Sequence, residues 1–219
     1  MITRRSQQTR NTEAIQDAEV HASLDQLGLE LGYFRRTDFG APIDLPTRIE
    51  STPDTASVKG MFFEKLAVLA RGRGLECRTR YTPFRDYPMR EYMQLLVNYS
   101  QARYPNLPAR EGLRRTGWEA FPALMESIAG RVLFAVAGRD LLTALKVTPK
   151  AYEHTIRPGT VMMHRCSSRS AVLQLRDVWT FADCYHVGAV EGGARVFEPA
   201  ARVEAYVRSP RDVHLLVRW

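Results

Sequence analysis

The fold is decided by residues 160–219, TVMMHRCSSRSAVLQLRDVWTFADCYHVGAVEGGARVFEPAARVEAYVRSPRDVHLLVRW. Two runs rich in Val, Met and Leu, 160–166 and 171–178, flank a Ser-Ser-Arg-Ser turn. Residues 184–197 then read as a helix, weakened by Gly188, Gly192 and Gly193. Residues 202–208 alternate, with Val203, Ala205 and Val207 on one side. A second turn at 209–212 leads into Val213, Leu215, Val217 and Trp219, the return strand of a second hairpin. The order ββαββ predicts an α+β fold with a four-stranded antiparallel sheet, one face buried against helices. Strand 213–219 is read as an edge open to pairing with a second copy, which makes a homodimer the expected assembly.

Upstream of this unit the periodicity is helical. Val58, Phe62, Leu66 and Leu69 fall on one face of a helix expected to start at 51–55 and to end at Gly72 and Gly74. A second helix is expected over 88–103, with the stripe Tyr92, Leu96, Tyr99 and Arg103, closed by Pro105 and Pro108. A third starts near Ala109, with a bend expected at Gly117. Residues 131–137 form a short apolar segment between glycines. Residues 139–145 and 149–156 read as two short helices separated by Pro149. Residues 13–31 have a plausible helical period behind a basic tail. The expected organisation is therefore an N-terminal extension, 1–37, and a single α+β domain, 38–219. Val58, Phe62, Leu66, Leu96, Phe134, Val172 and Leu215 are the expected core.

Composition narrows the function classes. The 219 residues carry 31 Lys and Arg against 24 Asp and Glu, a net charge of +7. Only four of the basic residues are lysines and 27 are arginines. A hydrophobic fraction of 45% with 25% charged residues is that of a globular chain, not of a disordered or fibrous one. No apolar run nears the roughly 20 residues that span a bilayer, and no apolar stretch follows the basic N-terminus. The expectation is a cytoplasmic protein with no membrane contact. Cys77, Cys166 and Cys184 are too few and too widely spaced for a disulfide framework.

Seven segments carry a resemblance: SVKGMFFEKLAVL (57–69), PFRDYPMREYMQLL (83–96), EGLRRTG (111–117), SIAGRVLFAVAGRD (127–140), PKAYEHTIRPG (149–159), DCYHVGAVEGG (183–193) and the terminal VRW. In this order and spacing they resemble a paralogous family of unknown function expanded in myxobacteria, over residues 38–219. That family's order of elements is in turn similar to heme-NO-binding domains, 4-vinyl-reductase domains and TRAPP-type subunits. The resemblance implies a ligand or a partner held between helices and sheet. It says little about which, because one fold hosts many functions.

Heme and metal chemistry find little support in the residues. Ser167 and Arg169 match half of the Tyr-x-Ser-x-Arg motif of heme-NO-binding domains, but Arg165 stands at the tyrosine position. No histidine lies between His21 and His154, so most of the helical layer has no imidazole for an iron. His164-x-Cys166 and Cys184-x-His186 have the residue types of a zinc site, but i and i+2 diverge on a helix. No cofactor and no metal are expected. No serine, cysteine or carboxylate pair stands at a recognisable spacing from the Tyr185-His186 pair, so no catalytic residues are assigned and the protein is read as not an enzyme. No glycine cluster has the spacing of a nucleotide loop.

Tyr99, Arg114, Tyr185 and His186 are the expected ligand-binding residues. The function expected is a non-catalytic regulatory or interaction module, taking a small apolar ligand or an unidentified protein partner. The alternative is a nucleic-acid binder. Arg71, Arg73, Arg78, Arg80 and Arg85, with Arg90, interleave with Tyr81, Phe84 and Tyr87, and only Glu76 and Asp86 oppose them.

Overall fold

Two antiparallel hairpins with a helix between them form the C-terminal part of the computed structural model of the protein. The structure describes residues 35–126 and 140–219, with isolated positions outside these ranges. The described elements are β1 (Arg35–Arg36), α1 (Leu45–Glu50), β2 (Ser57–Lys59), α2 (Gly60–Arg71), β3 (Asp86–Pro88), α3 (Met89–Arg103), α4 (Ala109–Glu126) and α5 (Leu141–Thr155). They continue with β4 (Ile156–Arg157), β5 (Thr160–Arg165), β6 (Ser170–Arg176), α6 (Tyr185–Phe197), β7 (Arg202–Ser209) and β8 (Asp212–Arg218). The fold is α+β, helices first and then ββαββ. The predicted segments 13–31 and 131–137, and Phe134, lie outside the described residues.

The main sheet has five strands, not four, in the order β1-β7-β8-β6-β5, antiparallel throughout. The added strand is β1, where Arg35 and Arg36 pair with Val207 and Tyr206. Strand β8 is central, flanked by β6 and β7. The expected pairing edge at 213–219 is therefore corrected: its backbone groups are used on both sides, and among the described strands the edges are β1 and β5. One face carries Ala171, Leu173, Leu175, Val213, Leu215 and Val217 into the core under the helices. The other face buries Val172 and Leu216 beside the hydrogen-bonded pair Gln174–His214, 2.9 Å apart.

A second, three-stranded sheet, β3-β2-β4, has no precedent in the sequence reading. It corrects the expected helix start at 51–55. Ser51 caps the C-terminus of α1, Val58 lies mid-strand opposite Tyr87 and Ile156, and the helix begins at Gly60. The later start rotates the buried face by about one residue. Phe63, Leu66, Ala67 and Ala70 turn inward, whereas Phe62 is only partly buried. Phe63 stacks on Tyr81 with ring centroids 4.3 Å apart and meets Tyr87 and Tyr92 at 5.5 and 5.0 Å.

Two expected breaks are also corrected. Helix α5 runs unbroken through Pro149. A proline removes one main-chain hydrogen bond, and the inward stripe Leu141, Ala144, Leu145, Tyr152, Thr155 continues on both sides of it. Asp140 caps the helix by accepting from the Thr143 amide at 2.7 Å. Helix α4 likewise continues through Gly117. That glycine serves a helix crossing: a Cβ there would lie 2.0 Å from the carbonyl oxygen of Tyr185 in α6.

Candidate functional site

Helix α6 positions the site, and glycine positions α6. A Cβ at Gly188 would lie 1.7 Å from the Arg114 carbonyl oxygen, and one at Gly192 would lie 2.3 Å from that of Trp118. The two backbones touch, so each glycine's helix cost, about 1 kcal/mol relative to alanine, is offset by packing that no side chain would permit. Arg114 then reaches across to Glu191 at 2.7 Å and back to Glu111 at 3.1 Å, its guanidinium over the Phe39 ring.

The N-terminal end of α6 is anchored separately. The buried Asp183 takes a two-pronged ion pair from Arg48, at 2.6 and 2.9 Å, and a further one from Arg110. Burial raises the pKa of this carboxyl, but the hydrogen bonds and charge of Arg48, then of Arg110, outweigh it and hold the group below its ordinary range.

Among the described residues the opposite side of α6 is not filled. Between α6, α5 and the sheet lies a cavity of about 130 Å³. Ala189, Val190, Gly193, Ala194 and Phe197 line it from α6, and Leu141, Ala144, Leu145, Thr148 and Ala151 line it from α5. Phe62, Phe121, Ile156 and Leu173 complete an apolar wall. Small residues on both helices keep the space open, and α5 leans on β5 rather than on α6.

The polar groups of this wall are Tyr92, Tyr152, Tyr185, His186 and two threonines. Tyr92 Oη and Tyr185 Oη form a buried hydrogen bond of 2.8 Å. Desolvation pushes Tyr185 up to about 12 and Tyr92 well above its ordinary value, so both remain protonated. The His186 ring lies 5.5 Å from Tyr185 and 6.0 Å from Tyr152, and its Nε2 shares a 2.6 Å hydrogen bond with Thr180. Desolvation lowers His186 to about 4, so it is neutral at physiological pH. Tyr152 Oη is buried, and burial raises its pKa.

Of the residues singled out in the sequence, Tyr185 and His186 share the cavity wall, whereas Tyr99 and Arg114 lie elsewhere. Tyr99 donates to Glu119 at 3.2 Å beside a smaller hollow of about 30 Å³ that shares Phe62 and Tyr92 with the cavity. Arg114 belongs to the helix crossing. The sequence reading missed Tyr92 and Tyr152 as wall residues. The stripe Tyr92, Leu96, Tyr99 marked an inward face without saying what it meets.

Arg71, Arg73, Arg78, Arg80 and Arg85 are exposed on and after the end of α2. Their interleaved aromatics divide: Tyr81 and Tyr87 are buried in the aromatic cluster around Phe63, and Phe84 is 67% exposed. Arg78 pairs with Glu91 at 2.8 Å, and Arg71 donates to the Arg78 carbonyl at 2.8 Å. Two of the three rings are thus unavailable for stacking on bases. Ser167 and Arg169 lie in the β5–β6 turn, where the Ser167 and Ser170 hydroxyls are 2.7 Å apart and Arg169 donates to the Trp219 carbonyl. Among the described residues no three His, Cys, Asp or Glu side chains gather as a metal site. No described helix is long and apolar enough to cross a membrane.

Residues 53–219 match the family described as Protein of unknown function (DUF2378), and the chain belongs to that family. No curated protein matches the sequence. Among solved structures the fold is similar to a protein studied for modulation of heme redox potential through porphyrin distortion. That likeness has a TM-score of 0.53 at 16% identity, covering 73% of this chain and 97% of the other. An H-NOX protein from S. oneidensis in its Fe(II)NO state gives 0.53 at 12% identity, covering 73% and 98%. An unliganded Fe(II) mutant of an H-NOX protein from K. algicida gives 0.52 at 16%, covering 73% and 95%. At these identities the shared property is the fold.

The residues of the cavity do not fit a heme. A porphyrin needs an axial ligand, room for the macrocycle and cations for its propionates. The one imidazole on the described wall, His186, is engaged by Thr180, and no described arginine or lysine lines the space. A volume of about 130 Å³ suits a molecule near the size of benzene, which fills an apolar cavity of roughly 150 Å³.

Proposed function

We propose that this DUF2378 protein is a non-catalytic, ligand-responsive regulatory module that takes a small apolar molecule between α5, α6 and the sheet. The observation that carries the reading is the cavity itself. Its described wall is almost wholly apolar, and it lies where α5 rests on β5 while small residues of α6 face it. A guest there touches α5, α6 and β6 together, so its presence can bias how α5 rests on the sheet.

Chemistry argues for a receptor over an enzyme. The only base beside a hydroxyl is His186 with Thr180, among the described residues of the wall. Thr180 is fully buried behind the wall, and no described carboxylate orients the imidazole. With its pKa lowered to about 4, His186 is a weak base at neutral pH.

The test is ligand-observed NMR with benzene on the full chain. Wild type is expected to bind it at millimolar concentrations or below, and Ala144→Leu, which places a larger side chain in the cavity, is expected to weaken it at least tenfold. No binding to the wild type, or equal binding to the filled variant, overturns the reading.

A further inference from the structure

Two hydroxyls facing each other hold two protons, and their mutual hydrogen bond uses one. Tyr92 Oη and Tyr185 Oη are such a pair, in residues 2% and 5% exposed, with both rings on the cavity wall. Whichever oxygen donates, the O–H of the other is left over. Among the described residues neither tyrosine makes a further hydrogen bond. A buried donor without an acceptor is costly, and native proteins seldom leave one unless a bound group completes it. The surrounding wall has no charged side chain among the described residues, so an ionic guest would lose its hydration without a partner.

We infer that the guest is a small, uncharged, ring-sized molecule carrying one oxygen acceptor, which takes the surplus proton of the Tyr92–Tyr185 pair. This rests on the ligand-binding reading above and adds the chemical class. The apolar wall from α5 and α6 receives the ring, and the tyrosine pair fixes its orientation through one hydrogen bond. His186, beside Tyr185, is already bonded to Thr180, and the buried Tyr152 hydroxyl, a separate donor on the same wall, lies beside Gly159.

A matched pair of guests tests the class: cyclohexanone, which accepts a hydrogen bond, and cyclohexane, which cannot. Each is titrated into the full chain as wild type, Tyr92→Phe, Tyr185→Phe and the double variant. The single variants each keep one hydroxyl whose proton is free, so both are expected to hold the ketone within about threefold of wild type. The double variant lacks both hydroxyls of the pair, keeping on this wall the separate Tyr152 hydroxyl, and is expected to lose about fivefold or more in ketone affinity, while cyclohexane binds as before or tighter. Removing both partners of a buried hydrogen bond and keeping both rings is nearly neutral for the fold, which the urea midpoint checks. Undiminished ketone binding to the double variant, or an equal loss for both guests, overturns the acceptor class and leaves the cavity reading standing. A wild type that binds neither guest overturns both.

Discussion

Helix α6 is packed in two opposite ways. Toward α4 its glycines bring backbone against backbone, and an arginine bridges to a buried glutamate. Toward α5 its alanines, Val190 and Gly193 face a cavity of about 130 Å³. Small residues occur on both faces, so size alone does not tell close packing from open space. The difference lies in what stands opposite. Helix α4 has Gly117 at the crossing and can approach, whereas α5 is held on β5 and cannot. The tight crossing with α4 gives the wall on the α5 side a rigid support.

The strongest way to break this contrast is Gly188→Val. The added carbons collide with the main chain of α4, where no side chain can yield, and about 4 kcal/mol or more of stability is expected to be lost in urea unfolding. Arg114→Leu comes next. It leaves Glu191 buried without its partner, with an expected loss of about 3 kcal/mol. The paired variant Arg114→Leu with Glu191→Leu is expected to recover most of that, since two well-packed apolar groups replace a buried ion pair at little cost. On the open face the sign reverses. Ala144→Leu fills space and is expected to raise stability by about 1 kcal/mol as it blocks the guest, read from the same urea series.

The smallest expected effect is on pH dependence. His186 and His214 are held down to about 4, His186 by desolvation and His214 by desolvation together with Arg176 and His164. The groups facing His214 also include Asp212, which raises it, and Arg208, which lowers it. The unfolded chain takes up these protons near pH 6.5, so the stability they contribute is full above that value and is lost as pH falls toward 4. Between pH 7 and pH 6 the loss is expected to be under about 1 kcal/mol per histidine. His186→Gln should flatten that slope only in part. An unchanged slope in the variant would show that the cavity histidine is not the buried neutral group described.

Parts of this were legible beforehand. The alternation at 202–208 and 213–219, and the two turns, predicted the hairpins because a period of two places alternate side chains on one face. Strands of two or three residues have no measurable period, so β1 and the small sheet β3-β2-β4 were invisible. Missing β2 also displaced the start of α2 and turned its expected face from Phe63 to Phe62. Tyr185 and His186 stood out by their motif, and Tyr92 by its helical stripe. Nothing in either signal told that the two tyrosines meet, since they are 93 positions apart.

The amino-acid sequence by itself determined the α+β class, the ββαββ order, the inward face of α3 and the lack of histidine between His21 and His154. These follow from local periodicity and composition, which a linear pattern carries. Only the tertiary structure decided that Gly117, Gly188 and Gly192 form a crossing and not helix breaks, that β8 is central, and that a cavity with a spare tyrosine proton lies beside α6. Each of those depends on the distance between elements far apart in the chain, and such distances are set by all the packing at once.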